Sequence, residues 1–509
     1  MSEPASAPGQ TTVPAAAFWA SRSSRPWVFA ATLATMFMVA IEATIVATAM
    51  PTIVGQLGGF DLFSWVFTAY LMTQAVTIPI YGRLADLYGR KRVLYVGTIF
   101  FLLGSVLCGF AWSMTALIGF RVMQGVGAGA LLPVSMTLVG DLYAPAERAR
   151  IQGLLSGTWG AAAILGPLLG AFLVTHLSWP AVFWVNVPIG IVAGSLIALT
   201  LHERVQERQH RIDYLGSLLL ALGTGLLMFV LVQGSRLNLA LDLALTAAAA
   251  LALALFLIQE MRAPEPMLPL DLFRNRILAG GMIVNFGTGA VVMGTTAFLP
   301  AYIQGVMGRS ALAAGLALMG MSASWSCGSA LAGPTMLRTS YRFTATLGGA
   351  VLIAGSLILI ALDPERGALW AGAGAVVSGL GMGLVSNSFL VSIQSSVEWH
   401  RRGVATSTAV FMRMTGQGVG TAVFGGILNA GLAGDLAGGG RFVDRILDPT
   451  LRQSLPAAQI ATVMRDFAQA LHNVYLIGGF VALVILAAAL LLPAGLSPVR
   501  PARSTRSPS

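Results

Sequence analysis

The chain has 509 residues, of which 56% are hydrophobic and 10% charged, with a formal net charge of +10. A soluble domain carries about 25% charged residues, so this composition, with a mean hydropathy of +0.79, excludes a water-exposed surface over most of the chain. The basic residues lie in short gaps between apolar runs, not in one stripe; that excludes a nucleic-acid binder and fits the distribution that sets membrane topology.

A helix needs about twenty apolar residues to cross a hydrocarbon core of about 30 Å. Residues 1–26 read as a cytoplasmic tail. Arg22 and Arg25 precede an apolar stretch with no small-residue cleavage site, so the first span reads as retained and not as a signal peptide. Spans are predicted at 27–50, 64–82, 93–112, 115–139, 151–174 and 179–201, which make an N-terminal six-helix bundle over 27–201. Spans at 213–233 and 240–259 form an inserted pair within 202–276; the second, rich in alanine from Ala240 to Ala254, reads as peripheral. A C-terminal six-helix bundle over 277–492 holds spans at 277–300, 310–336, 343–361, 367–390, 403–430 and 470–492, with a long outer loop at 431–469, before a second tail at 493–509. That loop contains Gly438 to Gly440, Pro449, Pro456 and a helical spacing from Ala457 to Ala470; a cap over the outer mouth and a place on the membrane surface both fit it.

The fold class is therefore an all-α polytopic membrane protein with fourteen transmembrane helices. With the N-terminus inside, twenty-one of thirty Lys and Arg fall in inner segments, and the short outer loops hold almost none. Both termini are predicted to be cytoplasmic. The halves also resemble each other at an offset of about 250 residues: Gly97…Gly104-Ser105 aligns with Gly348…Gly355-Ser356, and Gly166 and Gly170 with Gly416 and Gly420. Parallel repeats of this kind build transporters whose two bundles face a central cavity. Cys108 and Cys327 both lie in apolar runs without metal-ligand spacing and read as small core residues.

Ionisable residues within a span are costly and mark function. Three stand out: Glu42, Arg121 and Arg413. Desolvation works against the charge of Glu42 and a nearby arginine works for it; a carboxyl so balanced can load and release a proton as access alternates. Arg121 opens the run Arg121-Val-Met-Gln124-Gly125-Val-Gly127-Ala-Gly129, whose glycines permit close helix approach. Arg121 and Gln124 are expected to face the cavity one turn apart.

The run Gly82-Arg83-Leu84-Ala85-Asp86-Leu87-Tyr88-Gly89-Arg90-Lys91-Arg92 resembles, nearly position for position, the loop signature between helices two and three of the major facilitator superfamily. The resemblance implies the major facilitator fold, two six-helix bundles plus the inserted pair, and a cytoplasmic latch in which Gly82, Asp86, Gly89, Arg90 and Lys91 work with Asp141 below helix four. Glu147, Arg148 and Arg150 resemble further latch partners. Gly153, Gly157, Gly160 and Gly166-Pro167-Leu-Leu-Gly170 in the fifth span resemble the Gly-Pro motif of the antiporters in this superfamily. Phe183-Trp184-Val-Asn186-Val-Pro188-Ile-Gly190 and the span count resemble its fourteen-helix drug/proton antiporter branch. The chain departs from that branch in having glutamate at position 42, where aspartate is common, and Trp179-Pro180-Ala181 where Trp-Arg-Trp is usual. In the second half the latch repeat keeps Arg338 and Arg342 but no acid matching Asp86.

The resemblance implies a proton-driven exporter of small amphipathic molecules in the cell inner membrane, with Glu42 carrying the proton and Arg121 as its electrostatic partner. A proton-coupled importer, or a dedicated exporter of one metabolite on the same fold, stays open. With Glu42 the one acid well inside a span, neutral, anionic or singly charged substrates are expected. Candidates for the cavity wall are Tyr70, Gln74, Gln124, Trp159, Asn285, Tyr302, Gln304, Asn387, Arg413 and Gln417. The expected partners are the lipid bilayer, substrate and protons, with no cofactor, no metal and a periplasmic adaptor undetermined. The histidines His176, His202, His210, His400 and His472 fall at span ends or in loops, and no Ser-His-Asp or phosphate-loop pattern occurs, which argues against an enzyme.

Overall fold

In a hydrocarbon layer every backbone N–H and C=O must be satisfied within the chain, so these apolar runs have helices as their solution. The computed structural model describes residues 25–143, 145–201, 203, 213–233, 237–263, 268, 270–397, 402–432 and 457–493, which are helical with no strand among them. The tails and most of the outer loop lie outside the described residues. The helices are α1 Arg25–Leu57, α2 Phe63–Tyr88, α3 Arg90–Gly109, α4 Met114–Leu142, α5 Pro145–His176, α6 Ala181–Trp184, α7 Asn186–Thr200 and α8 Tyr214–Gln233. They continue as α9 Leu239–Arg262, α10 Arg276–Ala301, α11 Ala311–Arg338, α12 Tyr341–Ile360, α13 Gly367–Ser395, α14 Arg402–Gly431 and α15 Ala457–Leu490.

Thirteen segments among the described residues are long and apolar enough to cross a membrane, α6 and α7 together making one. The fourteenth predicted span is α14, whose 30 residues carry Arg413, Gln417 and several threonines and are less apolar for that reason. Boundaries moved in three informative places. Pro51 does not end α1, which runs six residues further to Leu57. The sixth span breaks at Val185 into α6 and α7. The helical spacing predicted from Ala457 is not a separate loop element but the first turns of a continuous 34-residue α15.

The turns follow local chemistry. Gly89 joins α2 to α3 at φ 90°, a conformation that L side chains rarely adopt. Ser113, Asn238, Asn275, Ser310 and Ser340 cap the starts of α4, α9, α10, α11 and α12, each side chain accepting a free backbone N–H.

Helices α1–α7 pack as one half and α10–α15 as the other, and they meet along two seams, α5 with α11 and α2 with α14. Helix α8 lies against both α2 and α14, and α9 packs on α8 with Leu239, Leu243, Leu251 and Met261 exposed on its outer side. The two halves repeat their internal packing. A Cβ on Gly104 would stand 2.6 Å from the backbone N of Gln124, and one on Gly355 would stand 2.5 Å from that of Ser378. So α3 meets α4 as α12 meets α13, with no room for a side chain at either crossing.

With the charge-predicted orientation, the halves are sealed against each other at their outer ends. Gln304 Nε2 donates to Thr48 O at 3.1 Å, and Asn429 Nδ2 donates to Asp61 O at 2.9 Å. Phe60 packs edge-on against Phe467, and Phe63 lies tilted against Phe298.

Candidate functional site

Glu42 lies halfway along α1 with none of its side chain exposed, and Arg121, near the outer start of α4, is 2% exposed. The arginine Nη1 pairs with Glu42 Oε1 and also donates to Gln124 Oε1 at 2.6 Å. Its Nε donates to Val66 O at 3.1 Å in α2. Asn186 Nδ2, at the start of α7, donates to Glu42 Oε2 at 2.5 Å. Gln124 Nε2 donates in turn to Ser105 Oγ of α3 at 2.8 Å. The Tyr70 ring covers the guanidinium at 4.1 Å from its centroid, with the Phe183 ring at 5.9 Å on another side. Five helices (α1, α2, α3, α4 and α7) thus converge on one carboxylate and one guanidinium. A buried pair survives only when its remaining lone pairs and protons are also satisfied, and here nearly all are. Two capacities remain unused beside it: Asn186 Oδ1 and Tyr70 OH are buried without a hydrogen-bond partner.

This geometry corrects the expected direction of three residues. Arg121 and Gln124 face the interior of the N-terminal half and not the space between the halves, because the Gly104 contact brings α3 onto the Gln124 face. Tyr70 turns inward with them, and Gln74 is 3% exposed. Gln304, expected in the cavity wall, is committed to the outer seal with Thr48. Tyr302, buried beside it, donates to Leu362 O. Asn387 Nδ2 bonds Ser329 O at 2.8 Å within the C-terminal half. Trp159, Asn285, Arg413 and Gln417 are half-buried, with Trp159 packed on the cluster of Phe29, Met36 and Met414 that joins the halves.

The Gly-Pro segment of α5 lies between α1 and α11. A Cβ on Gly166 would overlap Thr44 Oγ1, and one on Gly170 would overlap Thr48 Oγ1. On the other face Pro167 O abuts Gly315 of α11. The segment therefore holds the helix bearing Glu42 on one side and the opposite half of the molecule on the other.

At the inner end, the side chains of Asp86 and Asp141 lie outside the described residues, as does that of Arg83. Gly89 alone makes the α2–α3 turn; Gly82, expected to bound it, lies inside α2 six residues before its end, because the helix continues to Tyr88. The start of α3 is held by a residue that sequence reasoning missed. Glu203 accepts the backbone N–H of Arg90 and of Lys91, both at 2.8 Å, while Lys91 Nζ donates to Ala198 O. The carboxylate caps two otherwise free donors at a helix N-terminus. Its signal was an acid two residues past the end of an apolar span. Asn186 was also missed as a site residue; it was the one amide in the apolar run from Ala181 to Thr200.

A helical protein of two repeated halves, with an ionisable centre buried in one and an outer seal between them, has the architecture of a membrane transporter. The sequence places it further: the model for the Major Facilitator Superfamily matches residues 13–421, and the chain belongs to that superfamily. It is 35% identical over 409 residues to multidrug resistance protein 3 of Bacillus subtilis (strain 168), covering 80% of each chain. It is 36% identical over 413 residues to the multidrug transporter protein MdtP of the same organism, covering 80% of this chain and 76% of that one. Among solved structures, a bacterial homolog of the human lysosomal transporter Spinster superposes with a TM-score of 0.68 at 16% identity, over 92% of this chain and 98% of that one. The likeness is one of fold. The chain is thus a multi-pass membrane transporter and not an enzyme.

Proposed function

We propose that the protein is a proton-driven antiporter that exports small amphipathic molecules across the cytoplasmic membrane, with Glu42 as the proton carrier. The observation that carries this reading is Glu42, the one fully buried acid among the described residues of the N-terminal half, held by Arg121 and Asn186. Its relatives, named for multidrug resistance and multidrug transport, support the direction and the substrate type. Glu42 bound to a proton releases Arg121 to Gln124 and Val66 O, which already hold it. Asn186 serves both states: its Nδ2 donates to the carboxylate, and after an amide flip its unpartnered Oδ1 accepts from the protonated carboxyl. Because α1 also packs against α5 through Gly166 and Gly170, a change at Glu42 is passed to the helix that meets α11 across the seam. Gly82, Asp86, Gly89, Arg90, Lys91 and Asp141 act in this proposal as the inner latch.

The driving force suffices. One neutral molecule exchanged for one proton moves one charge, about 2.3 kcal/mol per 100 mV, and each pH unit adds about 1.4 kcal/mol. With ~100 mV and ~1 pH unit the sum of about 3.7 kcal/mol holds a gradient of roughly 500-fold. The test adds dye-like amphiphiles to acidified everted vesicles and follows the pH gradient, comparing wild type with Glu42→Gln. Substrate dissipates the gradient in wild type and not in the variant. Equal coupling in both would remove Glu42 from the proton path.

A further inference from the structure

The third ionisable residue within a span, the half-buried Arg413, is in a different situation from Arg121. It has no hydrogen-bond or ion-pair partner among the described residues, whereas Arg121 has three. It stands eleven residues into α14, about 17 Å along the helix from its inner end, deeper than the level of lipid headgroups. An unpaired cation at that depth is costly, and such residues face a water-filled space or a ligand.

Its neighbours on α14 show which way that face looks. Val410 and Met414 pack with Phe29, Met36, Ala75 and Trp159 of the other half. On the opposite flank, Gly416 and the Arg413 carbonyl press on Phe286 and Gly289 of α10. At helical spacing Arg413 falls between these two flanks, on the line of half-buried residues Thr406, Val410, Arg413 and Gln417. That line runs between the flank held by α10 and the flank held by the other half, with Asn285 one turn from Gly289 on α10.

We infer that Arg413 is the recognition group for an anionic substituent, so that the favoured substrates are amphipathic molecules carrying one carboxylate or sulfonate. A guanidinium offers planar paired donors that match such groups, and the half-buried Trp159, at the edge of the Met36 and Met414 cluster, offers an aromatic face to the apolar body. Glu42 and Arg121 pair with each other in the N-terminal half, which leaves Arg413 as the one of the three in-span charges without a partner among the described residues. The inference rests on the transporter reading but not on proton coupling.

The test is equilibrium binding to purified full-length protein in proteoliposomes of neutral lipid with no proton gradient. The probes are 1-anilinonaphthalene-8-sulfonate and its uncharged relative N-phenyl-1-naphthylamine, which share a skeleton. Arg413→Gln weakens the sulfonate roughly tenfold, the scale of one lost hydrogen bond to a charged group, and changes the neutral dye less than about twofold. Arg413→Lys, which keeps the charge, recovers most of the loss. Retained binding of the neutral dye shows that the variant is folded. Parallel loss of both dyes, or no change in either, overturns the inference. So does a sulfonate effect that appears only when anionic lipid is present to compete, which would make a headgroup the occupant. Failure of proton antiport, by contrast, is read in the vesicle assay with Glu42→Gln and leaves this result standing.

Discussion

The two halves of the molecule pack their helices alike and fill the same position with opposite chemistry. Gly166 of α5 abuts the Ile41 carbonyl in α1, and Gly416 of α14 abuts the Phe286 carbonyl in α10, so the counterpart of Glu42 is Gly287. By the α3–α4 and α12–α13 crossings, Gln124 corresponds to Ser378 and Arg121 to Ala375. Where α7 presents Asn186 to the carboxylate, α15 presents Ile485 and Val481 to Gly287. One half therefore holds a paired charge and a hydrogen-bond network, and the other holds glycine, alanine and branched aliphatic contacts. The lesson is that a shared backbone plan leaves the chemistry of a site free to differ. Close helix crossings are set by small residues, which both halves keep, while the ionisable centre is an addition to one of them.

That comparison can be broken most directly at the charge pair. Arg121→Ala leaves a carboxylate buried without its partner, which costs roughly 3–5 kcal/mol; the expected result is a large fall in folded yield and in thermal midpoint measured by fluorescence-detection chromatography. Adding Glu42→Gln to that variant restores much of the yield and no proton coupling, because the C-terminal half shows that the plan folds without charge there. Gly104→Val and Gly355→Val then compare the halves as packing. Each destabilises by about 1–3 kcal/mol through overpacking, but Gly104→Val also displaces Gln124 and lowers coupled transport beyond the loss of protein, whereas Gly355→Val lowers transport only in proportion to protein. Asn186→Leu makes α7 aliphatic like α15. It removes a hydrogen bond to a charged group, about 1.5–3 kcal/mol, and reduces substrate-driven proton movement about tenfold while the chain still folds. The smallest effect is at the seal: Gln304→Ala loses one hydrogen bond, about 1 kcal/mol, and raises several-fold the labelling rate of a cysteine placed at Ala301 by an external thiol reagent, in a background where exposed Cys327 is replaced by serine.

By itself the sequence determined the helix count, the two-half plan and its repeat, because hydrophobic length and the need to satisfy the backbone within lipid leave few alternatives. It also marked Glu42 and Arg121, since a charge within a span is expensive enough to be visible in one dimension. Only the tertiary structure decided what those charges touch. Nothing in the spacing of Arg121 and Gln124 tells which face of α4 meets α3, and that choice, made by the Gly104 crossing, turned both residues inward. Asn186 and Glu203 reach their partners from 144 and 113 residues away in the chain, and the Gln304 contact joins residues 256 apart across the two halves. A period read along one helix gives its faces but not their neighbours; the neighbours come from packing, where small residues set how closely and at what rotation the helices meet.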